Sequence, residues 1–109
     1  MHEVSQSDID TFYRMIGQNV MRLRKEKGMT QLDLALAMGL KSVGLISVAE
    51  IYHNKKHFNL EHLYKIAAVF GVEITDFFGG VDISSQKNMM KKPTEKSDKY
   101  LFDVKSEEV

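Results

Sequence analysis

The sequence predicts an all-α fold of five short helices followed by a polar tail. Apolar residues recur at three- and four-residue steps through most of 7–78, which is the spacing of one face of a helix. Residues typical of helix ends divide this stretch: Thr30 and Asn59 are favourable N-caps, and Gly28, Gly39 and Gly71 are favourable terminators. At 109 residues the chain has room for one such domain and a tail.

The first helix is predicted over 7–27. Ser7 and Asp10 have the spacing of a capping box, and Gly28 follows the last helical residue. The apolar face consists of Ile9, Phe12, Ile16, Val20 and Leu23. The opposite face carries Arg14, Gln18, Arg22, Lys25 and Glu26.

The second helix is expected to begin at the N-cap Thr30, with Asp33 in its first turn. Its apolar residues occur on nearly all sides, so this helix is predicted to be largely buried. They are Leu32, Leu34, Ala35, Leu36 and Met38. After Gly39, the third helix is predicted from about Ser42 to Tyr52.

The last two helices complete the core. Asn59 is expected to cap the fourth, whose apolar stripe ends at Phe70 before Gly71. A short fifth helix over 73–78 places Ile74, Phe77 and Phe78 beneath the core. The predicted domain therefore covers 1–79, and Gly79-Gly80 marks its boundary.

The remaining residues, 80–109, balance six lysines against six acids and contain the single proline, a composition typical of a mostly disordered tail. The exception is Tyr100–Val104, for which a short strand or docking motif and a few apolar residues in a tail are both open.

Composition restricts the function classes. There is no cysteine, which excludes disulfides and suits a reducing cytoplasm, and no apolar run is long enough to cross a membrane. The N-terminus is not signal-like, so we expect a cytoplasmic protein. The net charge is zero, yet residues 14–65 contain nine Lys or Arg against four Asp or Glu, a local net charge of +5.

Residues 16–78 resemble the helix-turn-helix family of the phage Cro and repressor proteins, the xenobiotic-response-element type. The residues that carry the resemblance keep the family's order and spacing. They are Asn19, Leu23, Arg24, Gly28, Thr30-Gln31, Leu34-Ala35, Gly39, Ile46-Ser47, Glu50, Leu60, Leu63, Ile66-Ala67 and Phe78. The resemblance implies a lambda-repressor-like DNA-binding domain that places its third helix in the major groove of double-stranded DNA.

The resemblance also implies roles for individual residues. Gln31 matches the glutamine that contacts a phosphate at the start of the second helix. Arg24 and Glu50 match a pair that clamps the first helix to the third, and we expect them to be structural, as a surface pair worth at most about 1 kcal/mol. The residues expected to read bases are Lys41, Ser42, Val43, Gly44 and Ser47.

Two of these assignments stay open. Lys41 is suited equally to a phosphate and to guanine, and Ser42 is suited equally to DNA contact and to capping the helix. None of the five offers bidentate readout by Arg, Gln or Asn. Specificity is therefore expected to depend partly on DNA shape and on two half-sites.

The chain departs from the family at two points. One extra residue appears between Gly39 and Ile46, and the connection after Glu50 is about two residues longer than usual. In that connection Asn54, Lys55 and Lys56, with His57, are suited to phosphate contact; a solvated charge run is the alternative.

Other functions have less support. His53, His57 and His62 could suggest a metal, but without cysteine we expect no metal site and no cofactor. No phosphate-binding loop or nucleophile–base pair is recognisable, so we expect no enzyme. The alternative is a protein-interaction module, such as an antitoxin, that binds a partner protein.

We expect a homodimer, because one half-site gives too little discrimination. Candidate surfaces are the region around Phe70, Ile74 and Phe77, the segment Tyr100–Val104, and the residues before Ile9. For the aromatic residues, core packing is the competing interpretation. The sequence predicts a transcriptional regulator, most simply a repressor.

Overall fold

A computed structural model describes residues 3–80, and this part of the chain is all-helical, as predicted. The four α-helices are α1 (Gln6–Glu26), α2 (Gln31–Ala37), α3 (Gly44–Ala49) and α4 (Leu60–Phe70). Two 3₁₀ segments, His53–Lys55 and Ile74–Phe78, follow α3 and α4 respectively. The predicted tail, including Tyr100–Val104, lies outside the described residues except for Gly80.

The N-cap of the long helix α1 lies two residues earlier than predicted, and the helix itself begins one residue earlier. Ser5, rather than Ser7, is the N-cap: its hydroxyl accepts from the Asp8 N–H, and the Asp8 carboxylate accepts from the Ser5 N–H. Both serines have an aspartate three residues on, so the pattern alone could not separate them. The earlier start leaves Asp10 available for a contact with a distant residue.

The C-terminal end of α1 and both ends of α2 and of α4 follow the sequence closely. Thr30 and Asp33 form a capping box at the start of α2, and Asn59 caps α4. Gly28, Gly39 and Gly71 adopt φ of 72°, 85° and 71°, the left-handed conformation that a glycine adopts without strain.

Helix α2 is less buried than predicted. Leu34 and Ala35 are fully buried, but Leu32 and Leu36 are 48% and 57% exposed. Because α2 has only seven residues and one side of it packs on α3 and α4, its outer leucines remain in solvent.

Helix α3 is shorter than the predicted 42–52. Residues 41–43 form a bend, and the N-cap residue Val43 makes no side-chain capping hydrogen bond. At the other end, Tyr52 adopts φ 57°, which a continuing helix cannot accommodate. The bend therefore lies in the segment where the sequence predicts an extra residue, and the connection after Glu50 contains the first 3₁₀ segment.

The predicted fifth helix is the 3₁₀ segment Ile74–Phe78. The buried Asn19 side chain donates hydrogen bonds to the carbonyl oxygens of Phe77 and Gly79, each at 2.8 Å. These bonds satisfy carbonyls of the last turn and fix the end of the domain to α1. Phe70 and Phe77 are 4% and 0% exposed, so of the two interpretations core packing is correct for them.

The core lies between α1 and the shorter elements. Its largest fully buried apolar side chains are Phe77, Leu34, Ile46, Leu63, Ile66 and Val20. Gly17 brings the middle of α1 against the end of α3: a Cβ there would lie 2.5 Å and 2.6 Å from the carbonyl oxygens of Ala49 and Glu50. The sequence periodicity gives no indication of this close approach.

Gly17→Ala should therefore destabilise the domain. The obstructing atoms are backbone, which cannot move aside as a side chain would, and we expect a loss of about 1–3 kcal/mol in the free energy of unfolding. Gly44→Ala is the matched control, because its Cβ would lie 3.7 Å from the Ser42 hydroxyl and it begins a helix. Chemical denaturation followed by circular dichroism measures both; equal stabilities would contradict the close contact.

Candidate nucleic-acid interface

A buried carboxylate joins α1, α2 and α3. Glu50, which is fully buried, accepts hydrogen bonds from Arg24 Nε at 2.8 Å and from Arg24 Nη2 at 3.1 Å. Gln31 Nε2 donates to the same carboxylate at 3.0 Å. Arg24 Nη1 donates to the Met29 carbonyl oxygen at 2.7 Å, which fixes the turn between α1 and α2. This cluster orients the two helices of the helix-turn-helix unit.

The ion pair within this cluster differs from the surface pair that we expected. Arg24 is only 6% exposed and makes a bidentate contact, so solvent does not screen it. Removing one member of such a pair leaves an uncompensated charge in the protein interior, which costs far more than breaking a surface pair.

Gln31 is the first residue of α2 and is half-buried. One N–H of its amide donates to Glu50, so the second N–H and the amide oxygen remain available to another partner. The hydrogen bond to Glu50 therefore fixes the orientation of the Gln31 side chain, which the resemblance implies contacts a DNA phosphate.

The five residues predicted to read bases lie at the start of α3. Lys41 and Ser42 are exposed in the bend, Val43 is half-buried at the N-cap position, and Gly44 is the first helical residue. Ser47 lies one turn into the helix. The structure thus brings them together, but Lys41, Ser42 and Val43 precede α3. Ser42 and Val43 were predicted to lie on the helix, which begins two residues later than expected.

The serine hydroxyls among these residues already have backbone partners. Ser42 Oγ accepts from the Gly44 N–H at 3.4 Å, and Ser47 Oγ donates to the Gly44 carbonyl oxygen at 3.1 Å. Ser42 keeps a free O–H to donate, and Ser47 keeps lone pairs to accept. Lys41 has no hydrogen bond or ion pair with any residue in 3–80.

The connection after α3 has an unusual backbone. Tyr52, Asn54 and Lys55 all adopt positive φ, at 57°, 53° and 61°. This conformation is uncommon outside glycine and persists only when surrounding contacts hold it. The exposed side chains of Asn54, Lys55 and Lys56, the predicted phosphate ligands, project from this connection.

The contacts that hold the connection come from the N-terminal half of α1. The buried Tyr52 donates its hydroxyl to Asp10 Oδ1 at 2.7 Å, and Lys55 Nζ lies 3.5 Å from the same oxygen. The His57 ring stacks on Tyr13 with centroids 3.7 Å apart, and the Arg14 guanidinium lies 5.3 Å from the Tyr52 centroid. Sequence analysis missed this cluster, since nothing in the spacing links residues 42 positions apart.

The hydrogen bond between Tyr52 and Asp10 shifts the pKa values of both side chains. The Tyr52 hydroxyl, and next the Gln6 amide, hold the pKa of Asp10 below its ordinary value of 3.8. The same bond raises the pKa of Tyr52, because ionising the phenol would place two anions together. Asp10 is therefore charged near neutral pH and partly neutralises Lys55, whereas Lys56 has no ion-pair partner in the described range.

The histidines have separate structural contacts. Besides the His57 stack, the His62 ring nitrogen accepts from the Asn59 N–H at 3.0 Å and completes the cap of α4. Burial against the helix lowers the pKa of His62, which favours this neutral, accepting ring.

No group of three potential metal ligands occurs within 3–80. No helix of this part of the chain is long and apolar enough to cross a membrane.

Comparison with known protein families places much of the chain in a described family. Residues 20–77, more than half of the chain, match the family described as helix-turn-helix. No curated protein and no solved structure matches the chain significantly.

Arg24→Met should strongly destabilise the domain, because it leaves the Glu50 carboxylate buried without its cation. We expect a loss of about 3–5 kcal/mol in the free energy of unfolding. Arg22→Met is the matched control two residues earlier, where the pair with Glu26 is about half exposed and contributes at most about 1 kcal/mol. Urea denaturation measures both variants, and similar losses would refute a special role for the buried pair.

Tyr52→Phe should raise the pKa of Asp10 towards 3.8, because it removes the main donor to that carboxylate. A lowered folded-state pKa contributes stability above pH 3.8, which is lost as the pH falls through the lowered value; the variant should lack this part of the acid dependence. Carboxyl ¹³C NMR titration measures the change.

Asp33 provides the internal control for this titration. Its pKa is also lowered, by the backbone N–H and then the hydroxyl of Thr30. It should titrate identically in both proteins. An Asp10 titration unchanged by the substitution would show that the Tyr52 hydrogen bond is not the cause.

Proposed function

The chain belongs to the helix-turn-helix family, of the Cro and repressor type, and is a DNA-binding transcription regulator, from which we propose that it recognises a specific double-stranded sequence as a homodimer and represses transcription there. In this proposal the start of α3 enters the major groove, and Gln31 and the connection after α3 contact phosphates on either side. The expected cytoplasmic location accompanies this proposal.

The observation that carries the proposal is the cluster around Glu50. The cluster joins Gln31, the side chain proposed to contact a phosphate, to Glu50 at the end of α3. It therefore fixes the position of Gln31 relative to the helix that would read bases. Such a fixed relation is what a helix-turn-helix unit needs in order to place one helix in a groove while another contacts the DNA backbone.

The distribution of charge supports a DNA contact of modest strength. Lys41 and Lys56 are exposed and have no anionic partner among residues 3–80, so both are available for phosphates. Asp10, by contrast, offsets part of the charge of Lys55. We therefore propose weak non-specific binding, with specificity gained from DNA shape and from two half-sites.

A second candidate function has one observation in its favour. The exposed Leu32 and Leu36 lie one turn apart on α2, next to the residue proposed to contact phosphate. An apolar pair at that position suits a partner protein better than DNA, as in the antitoxin alternative. The two functions are compatible if the partner controls access to the operator.

Selection from a random pool of double-stranded DNA tests the proposal. The full chain should enrich a two-fold-symmetric motif, and Gln31→Ala and Lys41→Ala should reduce enrichment. If Lys41 reads a base, its variant should relax preference at one position in each half-site, by about 1–3 kcal/mol; if it contacts a phosphate, affinity should fall for all sequences and the salt slope should decrease by about 1.

Lys25→Ala is the matched control, because it removes the same charge from an exposed position on α1 that is not among the residues proposed to contact DNA. It should preserve both motif and affinity. Absence of any enriched motif, with binding that disappears as salt rises, would overturn sequence-specific recognition and favour the partner-binding function.

A further inference from the structure

The outer face of α4 carries the two most exposed large apolar side chains of the described region. Leu60 and Tyr64 are 70% and 73% exposed and lie one helical turn apart. Neither is needed for the core, which the other side of α4 completes with Leu63 and Ile66. Adjacent apolar side chains left in water are typical of a surface that another molecule covers.

This apolar surface extends beyond the two side chains, because each of them borders a groove. At the start of α4, Leu60 lines a groove together with Phe12, Tyr13, Leu63 and Phe78. Towards its end, Tyr64 lines a second groove together with Ala67, Ala68, Val72 and Ile74. The exposed pair thus adjoins one groove near the start of α4 and another nearer its end, and we call the surface made by Leu60, Tyr64 and the apolar residues of these grooves the α4 face.

Opposite charges border the α4 face. Glu61 and Lys65 are one turn apart and exposed, with Lys65 Nζ 3.3 Å from Glu61 Oε2. If a second α4 runs antiparallel across the face, with a two-fold axis near residue 63, Glu61 of each copy lies beside Lys65 of the other. The pattern of charges is thus complementary to itself after a two-fold rotation, which is the property of an isologous interface.

We infer that the α4 face is the surface through which two copies of this chain associate, with their α4 helices antiparallel. The choice of a second copy rests on the proposed function, in which two half-sites require two domains. It also rests on the arrangement of Glu61 and Lys65, whose charges match those of a second copy after a two-fold rotation. A partner of unrelated sequence would not require this self-complementarity.

The size of the face sets the strength of this association. Each copy contributes only two large side chains and the borders of two grooves. The buried area is therefore at the low end for specific interfaces. The dimer should therefore be weak in free solution. Two adjacent half-sites should strengthen it, because the second copy then binds at a high effective concentration.

The first test compares two matched double variants in the full chain without DNA. Leu60→Glu with Tyr64→Glu places four new anions in the proposed interface, whereas Leu32→Glu with Leu36→Glu makes the same change on the exposed face of α2. Sedimentation equilibrium should show dimerisation weakened at least about tenfold in the first variant and unchanged in the second, a difference of about 1.4 kcal/mol or more.

The second test uses the charges. Glu61→Lys alone and Lys65→Glu alone should each weaken self-association, because like charges then meet twice across the axis. Mixing the two single variants should restore dimers as heterodimers, in which every contact across the axis is again between opposite charges. The i,i+4 contact within each helix stays repulsive in the mixture, so restored dimers would identify a contact between copies.

Several results would overturn the inference. They are a native chain that stays monomeric at all accessible concentrations, loss of dimers only in the α2 variant, unchanged dimers in both double variants, and no heterodimers on mixing. Circular dichroism establishes that each variant is folded. Binding to a single half-site tests the proposed function separately: a monomeric α4 variant that still prefers its half-site loses the dimer but retains recognition.

Discussion

The arrangement of the domain depends on one buried carboxylate. Glu50 lies at the end of α3, yet its partners belong to α1 and to the first residue of α2, so three helices meet at one anion. Burying a charge is unfavourable unless it is paired and hydrogen-bonded, and this requirement permits few relative positions of the helices. The buried anion therefore constrains how the three helices are arranged around it.

Helix α1 completes that geometry from its middle and its N-terminal half. Gly17 permits backbone contact with the end of α3, and Asn19 holds the last turn of the domain. Asp10 then reaches the connection after α3 through Tyr52. A single helix therefore contacts the end of the proposed DNA-reading helix, the connection that follows it and the last turn of the domain.

The sequence predicted what local chemistry determines. The all-α fold follows from the periodicity of apolar residues. Thr30 and Asn59 are N-caps and the terminal glycines have positive φ, as the capping rules predicted. The predicted start of α1 was wrong because two serines offered the same capping pattern. The predicted length of α3 and the predicted burial of Leu32 and Leu36 were wrong because tertiary contacts decide them. The contact of Tyr52 with Asp10 was missed because it depends on how two distant segments meet. The roles of the individual DNA-contacting residues stay predictions.

The bond between Gln31 and Glu50 has a consequence for the entropy of recognition. A glutamine side chain loses rotational freedom when a ligand immobilises it, at a cost of about 0.5–1.5 kcal/mol. Gln31 has already lost much of that freedom on folding, because its amide is fixed to a fully buried carboxylate. The lysines at 41 and 56 have no such anchor and keep their rotamers until a ligand arrives. A contact through Gln31 would thus be rigid and directional, and contacts through the lysines would adapt to the ligand.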